Sequence, residues 1–391
     1  MGFAPASGES GRMVAGTLAE SIPKIHLHCH LEGSLRASTF VELAAKHGVP
    51  LRYLPKDVTL RQNTLAPSER SERSPERGVA EPNGESKGQS FDSAQDDNGD
   101  PYRFGSFQEF LYIFAAVSRS LRDPEDFARL AREFVEDALA QAVIYGELFV
   151  SPPVWKFFNP AIDVRATMEA IVSELRQASP AATFKLLPDL TRNFGADRAM
   201  ETAREMAAMT DLDVVGVSLG GDEARFPARL FVDAFAFARS EGLHCVAHAG
   251  EASDAASVRD AIELLGVDRV GHGIRALEDS RTVELLAARR IPLEICPTSN
   301  RLTGATLDEY PDPHLELDRR GCIVTIDCDD PAIFRTSIAG EYASVERIGG
   351  AAVLERFVRN AIDASLAGPQ AKSEMQARVT SAAELYAAPR S

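Results

Sequence analysis

Short apolar runs alternate along most of the chain with longer stretches whose apolar residues recur at helical spacing. Strands that alternate with helices of this length indicate parallel β-α-β units. Eight such units predict an α/β protein with the (β/α)8 TIM barrel fold. The predicted strands cover residues 24–30, 144–150, 184–190, 214–219, 244–249, 269–272, 292–296 and 323–328. Residues 338–386 keep the helical spacing without another apolar run, which predicts additional C-terminal helices outside the barrel.

Two parts of the chain lack this alternation. Residues 1–20 are small and polar, which predicts a flexible N-terminal tail. Between about residues 60 and 100 apolar residues are almost absent, while Ser, Glu, Arg and Asp recur. Such a segment cannot bury enough apolar surface to offset the entropy lost on ordering, so we expect a disordered insertion. The sequence therefore predicts a single domain over residues 21–391, a barrel that carries this insertion.

Composition and charge narrow the class of protein and of partner. The 391 residues are 45% hydrophobic and 26% charged, which is typical of a globular protein. The net charge of −16 repels phosphate backbones, so we expect a small neutral or cationic substrate rather than a nucleic-acid polymer. The 5 cysteines form no Cys-x-x-Cys pair, which favours a reducing compartment. Because signal-peptide and membrane-spanning patterns are also lacking, the sequence predicts a cytoplasmic protein with no membrane partner.

Four potential metal ligands lie at predicted strand ends. Residues two apart on a strand share a face, so His28 and His30 on the first strand point the same way. In a (β/α)8 barrel the carboxyl ends of the strands meet at one rim, which also receives His248 and Asp329. Three imidazoles and one carboxylate suit Zn2+ with one position left for water. The sequence therefore predicts one zinc ion per chain, bound by these four residues.

Further titratable residues lie at the same predicted rim. Glu251 follows a predicted ligand by three residues, so its carboxyl can reach the cavity and exchange a proton with a substrate. His272 can orient or deprotonate water, and Asp330 adds a second carboxylate. Gly220 and Gly221 allow the backbone to approach a flat ligand because no Cβ intervenes. Metal-assisted hydrolysis is the chemistry that this set favours, because bound zinc lowers the pKa of water toward about 7.

Each candidate also has a structural interpretation. The potential ligands could be satisfied polar groups of the core, Glu251 a first-turn acid of a helix, and Asp330 a cap before Pro331. Packing explains one polar strand end, but it does not explain five strand ends with titratable residues and glycines at one rim. The set as a whole therefore favours a catalytic site.

Six short strings contain these residues in a fixed order. They are Pro-Lys-Ile-His-Leu-His-Cys-His-Leu-Glu-Gly-Ser (23–34), Gly-Gly-Asp-Glu (220–223), His-Ala-Gly-Glu (248–251), Gly-His-Gly (271–273), Cys-Pro-Thr-Ser-Asn (296–300) and Asp-Asp-Pro (329–331). Together they resemble the adenosine and AMP deaminase family of the amidohydrolase superfamily, bacterial adenosine deaminases most of all. The resemblance implies a single zinc ion, attack of water at C6 of a purine, and release of ammonia. It implies that Glu251 protonates N1 and that His272 holds the attacking water.

The resemblance also implies contacts with the substrate. Asp330 would contact N7, the Gly221 amide N3, and Glu32 the ribose 5′-hydroxyl. Glu32 stands where adenosine deaminases commonly have Asp, and it is shared with adenine deaminases; Ser218 and Asp327 also depart from the family pattern. The Gly-Gly string is similar to that of aminodeoxyfutalosine deaminases of menaquinone biosynthesis. The order of preference is adenosine or 2′-deoxyadenosine, converted to inosine or 2′-deoxyinosine, then aminodeoxyfutalosine, then adenine.

Two further classes of protein remain as alternatives. A binuclear hydrolase of the same superfamily needs a carboxylated Lys at the end of strand four, where residues 217–220 contain none. A purine-binding or structural barrel would be favoured by loss of Glu251 or of a predicted ligand, and all of these residues are present. The sequence thus favours a mononuclear zinc enzyme.

Overall fold

Eight parallel strands form the centre of the molecule. The structure is a computed structural model that describes residues 16–51 and 100–388. The strands are β1 Lys24–His30, β2 Val143–Val150, β3 Thr183–Pro188, β4 Gly216–Val217, β5 His244–Ala249, β6 Arg269–His272, β7 Leu293–Ile295 and β8 Val324–Ile326. They pair in parallel in chain order, as one sheet of β1 to β3 and another of β4 to β8.

Backbone contacts between the two sheets close the barrel. The bridges between β3 and β4 are Leu186 with Val214 and Asp189 with Ser218. At the other junction Cys29 bridges to Asp329, and the His30 amide donates to the Asp329 carbonyl at 2.9 Å. The closed ring confirms the predicted (β/α)8 barrel. It also joins two predicted zinc ligands, His30 and Asp329, through their backbones.

Helices surround the barrel and cover its ends. In chain order they are α1 Leu18–Ser21, α2 Ala37–His47, α3 Phe107–Ser120, α4 Pro124–Ala140, α5 Pro152–Phe158, α6 Val164–Arg176, α7 Gly195–Ala207, α8 Val232–Ser240, α9 Ala255–Asp260, α10 Ser280–Arg289, α11 Pro297–Leu302, α12 Pro313–Arg319, α13 Pro331–Phe334, α14 Ile338–Gly349, α15 Ala351–Ala364 and α16 Pro369–Ala387. The last three confirm the predicted C-terminal helices, and α15 packs against β8 and β1. Within the described ranges, no helix has both the length and the apolar character needed to cross a membrane.

Helix α3 lies over the carboxyl end of β1. The helix begins after Ser106, whose hydroxyl accepts the Glu109 amide at 3.2 Å. Its apolar face then brings the Phe114 ring to 6.0 Å from the His30 ring, measured between centroids. Phe110 stacks on Phe334, which ends α13 after the neighbouring strand β8, with 4.8 Å between centroids. The helix therefore covers the predicted active-site rim with aromatic side chains.

The flexible N-terminal tail was predicted to end at residue 20, but ordered structure begins before that residue. Thr17 and Glu20 form a capping box, in which each side chain bonds the backbone amide of the other. This box begins α1, whose Leu18 and Ala19 are buried and donate their amides to the Glu346 carboxylate at 3.0 and 2.7 Å. Residues 17–20 are therefore part of the folded domain, because the capping box and the buried Leu18 offset the cost of ordering them. Residues 1–15 lie outside the described residues, as does all of the predicted insertion except Asp100.

Candidate active site

The carboxyl ends of four strands bring together a buried cluster of potential metal ligands. One donor atom from each of His28, His248, His272 and Asp329 lies within 4.8 Å of the others. His30, on the same face of β1 as His28, adds its Nε2 at 3.4 Å from Asp329 Oδ1 and 3.1 Å from His248 Nε2. The structure thus brings all four predicted zinc ligands to one place. It also places His272 within the same cluster.

Several imidazole nitrogens of this cluster are buried without a hydrogen-bond partner in the part of the chain that the structure describes. Among the described residues, His28 Nε2, His248 Nδ1 and His272 Nε2 have no hydrogen-bond partner. Buried polar atoms are normally satisfied, so several orphaned imidazole nitrogens beside one carboxylate indicate a cation site. Neutral imidazole and carboxylate are the ligands that zinc prefers outside sites built from cysteine. The residues present therefore fit a zinc ion.

Two residues of the cluster have backbone conformations that are rare outside glycine. The φ angles are 59° at His272 and 67° at Asp329, both in the left-handed region. Such a conformation costs a non-glycine residue on the order of 1–3 kcal/mol, and it persists where the surrounding structure enforces it. Here backbone pairing holds both residues, because His272 pairs with Ala249 of β5 and Asp329 bridges to Cys29 of β1. This strain is typical of a functional site rather than of a packing position.

A buried carboxylate fixes the orientation of His28. Glu294 Oε2 accepts a hydrogen bond from His28 Nδ1 at 2.8 Å, which leaves Nε2 facing the cluster. Arg269 in turn donates to Glu294 and to Glu147, at 2.5 and 2.6 Å, and all three side chains are buried. Burial alone would lower the pKa of His28, but its interactions with Asp329 and Glu294 raise that pKa to about 10. A metal ion at this position would replace the proton on Nε2.

Two residues of the Cys-Pro-Thr-Ser-Asn string orient other members of the cluster. The Ser299 hydroxyl donates to Asp329 Oδ2 at 2.6 Å. The Asn300 side-chain nitrogen lies 2.9 Å from His272 Nδ1. Ser299, Asn300, Asp329 and His272 are all buried, so both contacts lie inside the protein. The string therefore positions a carboxylate and an imidazole at once.

Glu251 lies beside the cluster without being part of it. Its Oε2 is 3.6 Å from His272 Nε2, and its side chain is 12% exposed. Burial, followed by the charges of Asp329 and Glu223, holds the pKa of Glu251 well above its usual value. Glu251 lines a cavity of about 400 Å³, with Phe107 and Arg275 also in its wall. A carboxyl group with a raised pKa beside a cavity can exchange a proton with a bound ligand.

Glu32 is a buried carboxyl with one oxygen that has no partner in the described structure. Its Oε1 accepts the Trp155 indole N–H at 2.7 Å and the Ser151 amide at 2.8 Å, while Oε2 has no hydrogen-bond partner among the described residues. Burial raises the pKa of Glu32 to about 7. The side chain is only 1% exposed, so a polar group of a bound ligand is the natural partner for Oε2.

The two remaining predicted substrate contacts lie at the same rim. Asp330 is buried, and its pKa is raised well above the usual value by burial and then by the charge of Asp329. Gly33 packs directly on the Asp330 side chain, where a Cβ would collide with it. Gly221 follows β4 with a φ of 101°, and a Cβ there would strike the Asn193 side chain. Only glycine therefore fits at these two close approaches.

Comparison with known proteins identifies the family. The family model described as adenosine deaminase matches residues 88–382. The chain belongs to the adenosine deaminase family. This membership places it in the amidohydrolase superfamily, and it makes the chain an enzyme of a class that acts on C–N bonds in purines.

Individual members of the adenosine deaminase family differ in their named substrates. An adenine deaminase of Rhodospirillum rubrum is 30% identical over 361 residues, covering 92% of this chain and 96% of that protein. An aminodeoxyfutalosine deaminase of Streptomyces avermitilis is 31% identical over 391 residues, covering 97% and 96%. The crystal structure of an Arabidopsis N6-mAMP deaminase has a TM-score of 0.72 and 25% identity, with 93% of this chain and 99% of that one covered. Similarity alone therefore leaves the purine open.

The sequence pattern did not reveal the residues that support this family's cluster. Glu294, Ser299, Asn300 and Trp155 each bond a predicted site residue, and none had been assigned a role. A signal was present for Glu294, a charged residue between Leu293 and Ile295 in an otherwise apolar strand. A charged residue in a buried strand needs a partner, so the position of Glu294 in the sequence already indicated a role inside the barrel.

Proposed function

We propose that this chain catalyses the zinc-dependent hydrolytic deamination of a 6-aminopurine, which yields a 6-oxopurine and ammonia. The observation that carries the proposal is the buried cluster of His28, His248 and His272 with Asp329, next to the carboxyl group of Glu251, whose pKa is raised. His28, His30, His248 and Asp329 would hold the zinc. Bound zinc makes water acidic enough to react near neutral pH.

The other residues then divide the proton handling and the binding of the purine. Glu251 would donate its proton to N1 as C6 becomes tetrahedral, and its raised pKa supports this role. His272, with Nδ1 beside Asn300, presents Nε2 toward Glu251 and Asp329 and would hold the attacking water in line with C6. Asp330 would contact N7, and the Gly221 amide N3.

The substrate that we propose is adenosine or 2′-deoxyadenosine. Glu32 supports this choice, because its buried Oε2 needs a hydrogen-bond donor and a ribose 5′-hydroxyl supplies one. Free adenine is the second candidate. Its N9–H is also a donor, and the tight enclosure of Glu32 by Trp155 and Ser151 favours a small ligand. The similarity to a protein named adenine deaminase also supports adenine as a candidate.

Ammonia release from the zinc-loaded protein tests the proposal. Adenosine, 2′-deoxyadenosine, adenine and aminodeoxyfutalosine would be compared by kcat/KM, with the Glu251→Gln variant as the blank. We expect the two nucleosides to have the highest kcat/KM. A higher value for adenine or aminodeoxyfutalosine would overturn the choice of substrate and leave the chemistry intact. No ammonia from any 6-aminopurine would overturn the proposed function itself.

A further inference from the structure

Glu223 is a buried carboxylate to which the proposed chemistry gives no role. It ends the Gly-Gly-Asp-Glu string after β4 and is 3% exposed. Its two oxygens accept three consecutive backbone amides, those of Gly250 at 2.5 Å, Glu251 at 3.2 Å and Ala252 at 2.9 Å. The middle amide belongs to the proposed proton donor. Glu223 therefore binds the backbone at Glu251 and at the residues on either side of it.

The segment that Glu223 holds is a short turn, and outside Glu223 its Gly250 carbonyl accepts the Arg275 amide at 3.0 Å. It connects β5 to α9 and begins at Gly250, which has a φ of 68°. A Cβ at Gly250 would collide with Val258 of α9, so the turn can adopt this path only with glycine. The amides of the turn point inward to Glu223. The path of the backbone at Glu251 thus depends on the conformation of Gly250 and on the hydrogen bonds to Glu223.

A carboxylate is the only common side chain that satisfies this arrangement. Ionised, it is an acceptor at both oxygens and can take all three amides. Glutamine has one acceptor oxygen, and its amino group would face a backbone N–H, so at least one amide would lose its partner. Hydrogen bonds to a charged acceptor are also stronger than neutral ones. The turn should therefore shift when the charge is removed, even though the shape of the side chain is kept.

We propose that Glu223 is the positioning residue for Glu251, holding the turn so that the Glu251 carboxyl reaches the substrate ring nitrogen. This inference rests on the proposed function, in which Glu251 handles a proton. The alternative is a purely structural role, in which Glu223 only ties the β4 exit loop to the β5 exit loop. The two roles differ in whether the effect of Glu223 passes through Glu251.

The test is a double-mutant cycle between Glu223→Gln and Glu251→Gln in the zinc-loaded protein. Misplacement of a reacting group by about 1 Å costs up to about 10²-fold, so Glu223→Gln should lower kcat by about 10- to 100-fold. KM and bound zinc should stay close to wild type, while the melting temperature should fall only modestly, because one backbone amide loses its partner. In the Glu251→Gln background the same change should lower kcat by less than about threefold, because coupled residues are not additive.

Matched variants complete the design. Asp222→Asn removes the neighbouring charge, whose carboxylate bonds the Arg225 amide instead, and it should leave kcat unchanged. Glu223→Asp keeps the charge but shortens the reach, so its kcat should lie between wild type and Glu223→Gln; it also serves if Glu223→Gln folds poorly. Equal losses from Glu223→Gln in both backgrounds, or normal kcat in Glu223→Gln while Glu251→Gln is inactive, would overturn this inference alone. Normal turnover in Glu251→Gln would instead overturn the proposed function.

Discussion

Replacing Glu294 by Gln tests how the barrel interior controls zinc binding. Glu294 accepts the Nδ1 proton of His28 at 2.8 Å, and this keeps Nε2 free to bind metal. A glutamine can turn its amino group toward His28, which favours the tautomer with the proton on Nε2. If its oxygen faces His28 instead, its amino group opposes Arg269. Either arrangement weakens the zinc site without removing a ligand.

The expected magnitude follows from the burial of this contact. Both side chains of the His28–Glu294 pair are fully buried, so no water can replace the lost acceptor. Changing a residue that orients a metal-binding histidine typically lowers metal affinity by about 10- to 100-fold, or about 1.4–2.7 kcal/mol. We therefore expect the zinc dissociation constant of Glu294→Gln to rise by about that factor.

Competition with a chromogenic chelator measures the dissociation constant without reference to turnover. Glu147→Gln is the matched control, since Glu147 is the other carboxylate on Arg269 and has no hydrogen bond to His28. Both variants lose one buried ion pair of Arg269, so both should unfold at a lower temperature. Only Glu294→Gln should bind zinc much more weakly. Equal zinc affinity in the two variants would refute the reasoning.

Three further changes test other parts of the structure. Trp155→Phe removes the indole donor to Glu32, and kcat/KM for adenosine should fall about tenfold with zinc content unchanged. His244→Gln tests a pH dependence, because the hydrogen bond with Asp268 raises the pKa of His244 above its ordinary value of 6.5. The wild type should therefore have a higher free energy of unfolding than the variant below pH 6.5, and this difference should be lost as the pH rises through the raised pKa. Denaturant unfolding at pH 5.5 and pH 9 measures it. Deleting residues 60–99, which have few apolar side chains, should change neither melting temperature nor turnover appreciably.

Strand ends with polar residues were the part of this fold that the sequence could predict best. Buried strands are mostly apolar along their length, so the predicted ligands His28, His30, His248 and Asp329 stand out near the ends of the predicted strands. The barrel fold then brings strand ends to one rim, whatever the details of the loops. For this reason the predicted ligands come together in the structure, although their distances could not be predicted.

The short helices at the same rim were not predicted, and their length is the physical reason. Helices α5, α11 and α13 begin at Pro152, Pro297 and Pro331, within five residues of the ends of strands β2, β7 and β8. None exceeds two turns, so the apolar spacing that predicts a helix cannot develop. Proline at the first helical position is the signal that was available. These helices matter because Trp155, Ser299 and Asn300 lie on them.

The sequence could not predict which charged residues pair with one another inside the barrel. Glu147, Arg269 and Glu294 lie on three different strands and meet only because the barrel closes. The pattern of one strand identifies a charge that needs a partner, but it cannot identify the strand that supplies one. The same limit applies to Glu223, because the three backbone amides that donate to it lie on the loop after the next strand, β5.

The proton transfer assigned to Glu251 is the centre of this account, and Glu251→Gln tests it most directly. The variant keeps the shape of the side chain but cannot deliver a proton, and general acid catalysis is typically worth about 10²–10⁴ in rate. Zinc content, binding of a non-reactive purine and turnover would be measured on the same preparation. We predict one equivalent of zinc, near-normal purine binding, and turnover lowered by at least about 10². Near-normal turnover in the zinc-replete variant would contradict the account.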